Sequence, residues 1–372
     1  MKFKPNFTIT SSLIKHLVEI ERHKEAIDVL PVTAPLIASL RETARLLSTH
    51  YSTQIEGNML TQSEVQLIVE GKKGGFPDRE RDEREVKNYF KALEYVEEVI
   101  RKEKNISEKL IKTIHSLVLV GTKQSTPYRE GQNVIKDGAS GGIVYMPPEA
   151  VDVAPLMKNL VAWIDASIKE KKLVAPIIAG LAHYQFATIH PYYDGNGRTA
   201  RLLTTYILHK TGYGMKGIYS LEEYYAKNLQ GYYNALNIGK SHNYYLGRAE
   251  ADITPFLEYF IGGMGISFKS VREKAEQLNK KQPLNILSEQ HQSLRELKPI
   301  QKQVLSLFIK QKKVTTDDIA EHLGLKYRSS YSLVKKWLQG KFIQIENPSK
   351  KARTYSLTEK WEQLIIDKEL EL

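Results

Sequence analysis

Apolar residues recur at three- and four-residue spacing along most of the chain, and no other feature constrains the fold as strongly. Residues 35–56 carry Leu36, Leu40, Ala44, Leu47 and Tyr51 at that spacing, then break at Gly57-Asn58. Thr61 with Glu64 reads as a cap opening the next helix, and 82–103 and 107–120 read as amphipathic helices. Helices are predicted again over 150–168, 175–189, 197–210, 221–237 and 252–279. The pattern lapses once, between Gly121 and Pro148. There Asn133–Lys136 and Ile143–Met146 flank the turn Asp137-Gly138-Ala139-Ser140-Gly141-Gly142, a hairpin signal with a glycine-rich tip. The fold class is therefore an all-α core with one small β-hairpin. With 372 residues, the chain has room for two or three domains.

A different order follows the polar stretch 281–297, which reads as a linker. Helices are predicted at 299–310, 315–323 and 329–339, and two extended runs, 342–345 and 354–357, flank the basic tip 348–353. Three helices and a two-stranded ribbon make the order of a winged helix-turn-helix. Residues 298–360 hold 14 Lys and Arg against 5 Asp and Glu, a local excess of +9 within a chain total of +11. Such an excess points to a polyanion. Arg328, Ser330, Tyr331 and Lys335 stand near the start of the third helix, where a recognition helix would meet DNA. Lys350, Lys351 and Arg353 at the ribbon tip suit phosphate contacts. A protein-binding role for this segment stays open.

There is no cysteine, which excludes disulfides and thiolate metal sites. No apolar run approaches the roughly 18–20 residues of a membrane span, and the start lacks a signal-peptide core. A soluble, cytoplasmic protein with no membrane partner is the expectation.

The densest chemistry lies in His190-Pro191-Tyr192-Tyr193-Asp194-Gly195-Asn196-Gly197-Arg198-Thr199-Ala200-Arg201, between two apolar helices. Gly195-Asn196-Gly197 allows backbone amides to converge, and the following helix adds its positive end, so an anion nest forms there. Arg198 and Arg201, three apart, can grip phosphate oxygens as planar forks. Asp194 offers a hard oxygen to Mg²⁺, and His190 can take a proton near neutral pH. No Walker-type or kinase-type glycine loop accompanies them. His183, seven residues before His190, lacks a second ligand at metal-site spacing and reads as a packed histidine.

This run resembles the signature of Fic-family proteins, His-Pro-Phe-x-Asp-Gly-Asn-Gly-Arg-x-x-Arg, with Tyr192 where the family has Phe. The likeness extends over roughly residues 35–260, and Pro127-Tyr128-Arg129 with Tyr145-Met146-Pro147-Pro148 resembles the family's flap region. It implies an N-terminal helical region to 105 and a catalytic core over 106–280 with its flap at 131–148. The implied reaction is transfer of AMP from ATP to a Ser, Thr or Tyr hydroxyl of a protein, itself included. On this resemblance His190 is the base and Asp194 the Mg²⁺ ligand. Gly195, Asn196, Gly197, Arg198 and Arg201 hold the triphosphate, and Gly141, Gly142, Ile143, Val144 and Tyr145 dock the target segment. Ser52-Thr53-Gln54-Ile55-Glu56-Gly57 resembles the inhibitory motif Ser/Thr-x-x-x-Glu-Gly/Asn. Glu56, with Ser52, would pair with Arg201 and block productive placement of the γ-phosphate. Two other readings stay open: removal of AMP with Glu56 orienting a water, and a DNA-binding regulator whose core senses nucleotide. The partners implied are ATP and an unidentified target protein, with DNA at the C-terminal segment and room for a homodimer. The tyrosine that meets adenine is not singled out by the sequence.

Overall fold

A computed structural model describes residues 3–30, 32, 34–72, 75–136, 141–239, 241–281, 297–349 and 353–362. Their contacts divide the chain into two units, Met1–Leu30 with Leu40–Lys274, and Pro31–Ser39 with Ala275–Leu372.

The first unit is helical: α1 (Ser11–Val29), α2 (Ala34–Ile55), α3 (Gln62–Val69), α4 (Glu80–Arg101), α5 (Glu108–Val120), α6 (Ala150–Glu170), α7 (Ala175–Ile189), α8 (Asn196–Lys210), α9 (Glu222–Lys227), α10 (Leu229–Leu236) and α11 (Thr254–Lys281). Two of these helices, α2 and α11, cross the division between the units. The central helix is α7, buried at nearly every position and apolar around its whole circumference, as a helix enclosed by others must be. It packs on α6 and α8, while α4 packs on α5 and α8. A boundary at 105 therefore separates stretches of chain that are packed together in one unit. Helix α1 has no counterpart among the sequence expectations, although Thr10 caps it by accepting from the Leu13 amide.

Local chemistry explains the remaining departures. The helix expected over 221–237 is two, because Asn228 leaves helical geometry at φ −129°, ψ 49°. The hairpin is shorter than expected, with β1 (Ile135–Lys136) antiparallel to β2 (Ile143–Tyr145). Asn133 turns its carboxamide oxygen onto the Val134 amide. Met146 instead exchanges backbone hydrogen bonds with His242 and Tyr244. The hairpin turn 137–140 lies outside the described residues.

The second unit contains α12 (Pro299–Lys310), α13 (Thr316–Leu323), α14 (Tyr327–Gln339) and an antiparallel ribbon, β3 (Ile343–Asn347) with β4 (Thr354–Leu357). Thr315 and Asp318 close a reciprocal cap on α13. Val304, Phe308, Ile319, Val334, Trp337, Phe342 and Tyr355 form its core. Helix α14 begins two residues earlier than expected, and Ser330 lies inward on the stripe shared with Val334 and Trp337. Ser330 is 0% exposed, so the expectation that it reaches DNA is corrected: it belongs to the core. Most of the expected linker and both Lys350 and Lys351 lie outside the described residues. No helix among those residues is long and apolar enough to cross a membrane.

Candidate active site

The signature occupies the end of α7, the connecting loop and the start of α8. His190 ends α7 in the left-handed region, at φ 50°, which throws the chain sideways into the loop. Gly195, at φ 76°, makes the second sharp turn and opens α8 with no side-chain cap, so the first-turn amides of α8 are left to the loop. Between these turns Asn196 locks the path. Its Oδ1 accepts from the Tyr192 amide at 3.0 Å and its Nδ2 donates to the Tyr192 carbonyl at 2.8 Å. The carboxamide is thus committed to the loop, and Asn196 can serve an anion only through its backbone.

His190 is half-buried, and burial holds its imidazole down to about pKa 4, so the ring is neutral at neutral pH. A hydrogen bond to the Ala187 backbone occupies one ring nitrogen as donor and leaves the other as the acceptor a base requires. Arg129 braces the same corner. Its amide donates to the Pro191 carbonyl at 2.9 Å, and its Nε to the His190 carbonyl at 3.0 Å. Nη1 reaches the Gly131 carbonyl and Nη2 the Pro148 carbonyl, so this buried guanidinium ties the signature to both sides of the flap. The sequence offered Arg129 only as part of a flap-like run.

His115 of α5 is a second brace without a sequence signal beyond its buried helix face. Its ring stacks on Tyr192 at 3.5 Å between centroids and 7° between planes, and Nε2 meets the Asp194 carbonyl at 2.8 Å. Burial lowers its pKa to about 4. A neutral ring facing a carbonyl must carry its proton on Nε2. Tyr192 keeps its ring where the family has Phe, yet its buried hydroxyl has no partner among the described residues.

Both arginines are in place and buried. Arg198, 2% exposed, meets Asp194 Oδ1 through Nη2 at 3.1 Å and faces Glu85 Oε1 through Nη1 at 3.8 Å. Arg201, 1% exposed, donates from Nε to Ser52 Oγ and from Nη2 to the Ser52 carbonyl, each at 2.8 Å, and from Nη2 to Glu56 Oε1 at 2.9 Å. Burial is the largest single influence and would lower the Arg201 pKa, but the charges of Glu56, Tyr232 and Tyr89 and the hydrogen bond to Glu56 together outweigh it and raise the pKa. Glycine at 197 leaves room for the Glu56 carboxylate. A Cβ there would collide with Glu56 Oε1 and stand 3.1 Å from Arg201 Nη1. Behind Arg201, His183 is buried between Thr204 Oγ1 and the Tyr232 hydroxyl, each at 2.9 Å, as a packed histidine.

Asp194 is 55% exposed, and only its Oδ1 takes part in the contact with Arg198. Among the described residues no group of three or more His, Cys, Asp or Glu could hold a metal by itself. One open carboxylate beside the uncapped first turn of α8 fits Mg²⁺, which takes one or two protein carboxylates and fills its shell with water and phosphate oxygens.

The flap residues divide by strand alternation. Ile143 is exposed and Val144 half-buried. Tyr145, grouped with them as a docking residue, is buried instead and donates its hydroxyl to the Thr188 carbonyl at 2.7 Å. It anchors the flap to α7.

Residues 105–208 match the family model described as Fic/DOC family, and this span contains the signature. Residues 105–208 are thus similar to a Fic domain. A curated protein of Culex quinquefasciatus named Protein adenylyltransferase Fic is 28% identical over 259 residues, 67% of this chain and 47% of that protein. One of the same name from Nematostella vectensis is 31% identical over 202 residues, 53% of this chain and 45% of that protein. The chain thus spans less than half the length of these relatives. In fold it is similar to the crystal structure of a Fic family protein from Desulfovibrio desulfuricans G20, with a TM-score of 0.59 and 24% identity. That similarity covers 96% of this chain and 99% of that one. Ser52 and Glu56 precede the matched span, so they meet it through tertiary contact with Arg201.

Proposed function

We propose that the Fic domain transfers AMP from ATP to a hydroxyl of a protein side chain and that Glu56 restrains the reaction. The observation that carries this reading is the convergence of a neutral His190, the open amides of α8 and two buried arginines within one helix–loop–helix. Relatives named as protein adenylyltransferases support it. The unprotonated nitrogen of His190 takes the proton of a Ser, Thr or Tyr hydroxyl as that oxygen bonds to the α-phosphorus. The bridge between α- and β-phosphates breaks, and pyrophosphate leaves. Amides of Gly195, Asn196 and Gly197, with Arg198 and Arg201, orient the triphosphate and meet the charge that develops. Asp194, together with phosphate oxygens, would hold Mg²⁺, which would supply neutralisation of the phosphate charge. The backbone of residues 141–145 aligns the target segment as an added strand. With Glu56 on Arg201, the γ-phosphate loses its guanidinium. Incubation with [α-³²P]ATP and Mg²⁺ should label the protein weakly, the Glu56→Gly variant strongly and the His190→Ala variant not at all. Equal labelling of all three, or none in any, refutes the reading. Release of AMP from a labelled protein, lost in Glu56→Gly, would favour the reverse reaction.

For the second unit we propose a winged-helix domain that binds duplex DNA. Helix α14 contains no acidic residue, and Tyr327, Arg328, Tyr331 and Lys335 are all exposed. Arg353 turns back to the Pro348 carbonyl at the ribbon end. Binding should weaken steeply with salt, through counterion release. Replacing Lys350, Lys351 and Arg353 should flatten that slope by about one unit for each phosphate the protein no longer neutralises. Absence of binding by the full chain at low salt refutes this assignment.

A further inference from the structure

The glutamate on Arg201 is held by a turn whose own fastening has no place in the inhibitory motif. After α2 the chain reverses through Gly57, at φ 92°, and Asn58, whose amide closes back on the Thr53 carbonyl at 3.1 Å. Asn58 is nearly fully buried, and each end of its carboxamide is engaged. Nδ2 donates to the Asp82 carbonyl at 3.0 Å and reaches Glu85 Oε2 at 3.4 Å, while Oδ1 accepts from the Leu60 amide at 3.1 Å. The Met59 amide adds a bond to Asp82 Oδ2 at 3.1 Å. All these α4 partners lie in its first two turns. On the opposite side the Tyr233 hydroxyl donates to the Ile55 carbonyl at 3.1 Å. Glu56 therefore projects from a segment pinned before and after it, and its reach to Arg201 depends on those pins.

The pin on α4 has a second connection. Glu85, which accepts from Asn58, also accepts from Arg81 Nε at 3.0 Å and faces Arg198. The carboxylate that steadies one signature arginine is thus hydrogen-bonded to the turn that presents a carboxylate to the other. We infer that Asn58 is a positioning residue for inhibition: its carboxamide bolts the Glu56 turn to α4 and thereby fixes the glutamate on Arg201. The inference rests on the reading of Glu56 as a competitor of the γ-phosphate. Asn58 touches neither arginine and acts only through the placement of Glu56.

Of the three side-chain hydrogen bonds lost, the two to α4, one of them to a charged group, should shift the seated-to-displaced equilibrium of Glu56 on the order of tenfold. The test uses the full chain with Mg²⁺, and measures ATP and ADP affinities by calorimetry beside automodification from [α-³²P]ATP. Asn58→Ala should raise the ratio of ATP to ADP affinity about tenfold and increase automodification, with neither effect in a Glu56→Gly background. Asp82→Ala, which removes the bond to Met59 from the α4 side, should move both readouts in the same direction and less far. It keeps the inference testable if Asn58→Ala fails to fold. A general loosening would lower thermal stability without changing the ATP-to-ADP ratio. An unchanged ratio in both folded variants, or an equal rise in the Glu56→Gly background, overturns the role of Asn58. If no variant transfers AMP, the transfer reading falls, and the affinity ratio still decides this one.

Discussion

Replacing Glu56 with alanine should make the empty protein less stable and the ATP-bound protein relatively more so. The Glu56–Arg201 pair spans 2.9 Å, with Arg201 1% and Glu56 29% exposed. Breaking a fully buried pair costs about 3–5 kcal/mol, while an exposed pair is worth about 0–1 kcal/mol. Partial exposure of Glu56, and the two bonds Arg201 keeps to Ser52, place this loss near about 2 kcal/mol. For a body this large, that corresponds to a fall of roughly 4–8 °C in melting temperature. The same free energy opposes a γ-phosphate that must displace the glutamate. ATP affinity should therefore rise about 30-fold in Glu56→Ala, while ADP affinity barely changes. At a concentration of 100 Kd a ligand adds about 2.7 kcal/mol to stability, well within reach of thermal denaturation. The assay is a melting series of both proteins with Mg²⁺ alone, with ADP and with ATP. No loss of stability in the empty variant, or an ATP-minus-ADP shift equal to that of the wild type, would refute the reasoning.

Tyr192→Phe removes a buried hydroxyl that has no partner among the described residues, and should raise stability by about 1 kcal/mol in denaturant titration. His115 and His183 have folded pKa values lowered to about 4 and about 3 by burial, so the unfolded chain binds more protons than the folded one below its ordinary value of 6.5. Stability should be flat above about pH 7 and fall from pH 6.5 towards 4, by up to about 1.4 kcal/mol per pH unit for each histidine; melting temperatures across that range check it. Arg129→Ala should reduce AMP transfer and lower stability together, because its guanidinium joins the His190 carbonyl to Gly131 and Pro148; unaltered labelling with unaltered melting would contradict that role.

What the sequence made legible follows the range of the interactions concerned. Helices with a long apolar period, the hairpin and the helix–loop–helix of the signature are local, and the spacing predicted them. Glu56 meeting Arg201 across 145 residues was legible only through resemblance, because no local rule links those two positions. Arg129, His115, Glu85 and Asn58 act through tertiary hydrogen bonds, and their residue types alone carry no hint of their partners. Ser330 is a different case. Counting back from Trp337 and Val334 at helical spacing places it on the buried stripe whichever residue opens the helix, so its burial was readable from the pattern.

The same geometry explains why a carboxylate belongs beside Arg201 at all. Two guanidiniums buried to 1% and 2% exposure cannot stand without counter-charge. Arg198 has Asp194 and Glu85, while Arg201 has Glu56 and the oxygens of Ser52. Glu56 Oε1 lies against the face of Gly197 that a side chain would fill, beside the open first turn of α8. It thus occupies a slot whose amides and guanidinium favour an anion of any kind. Exchanging it for a phosphate oxygen replaces one charge-assisted pair by another, so the net preference is a difference between two large and similar terms. A modest change in how firmly the glutamate is seated is then enough to decide which anion Arg201 holds.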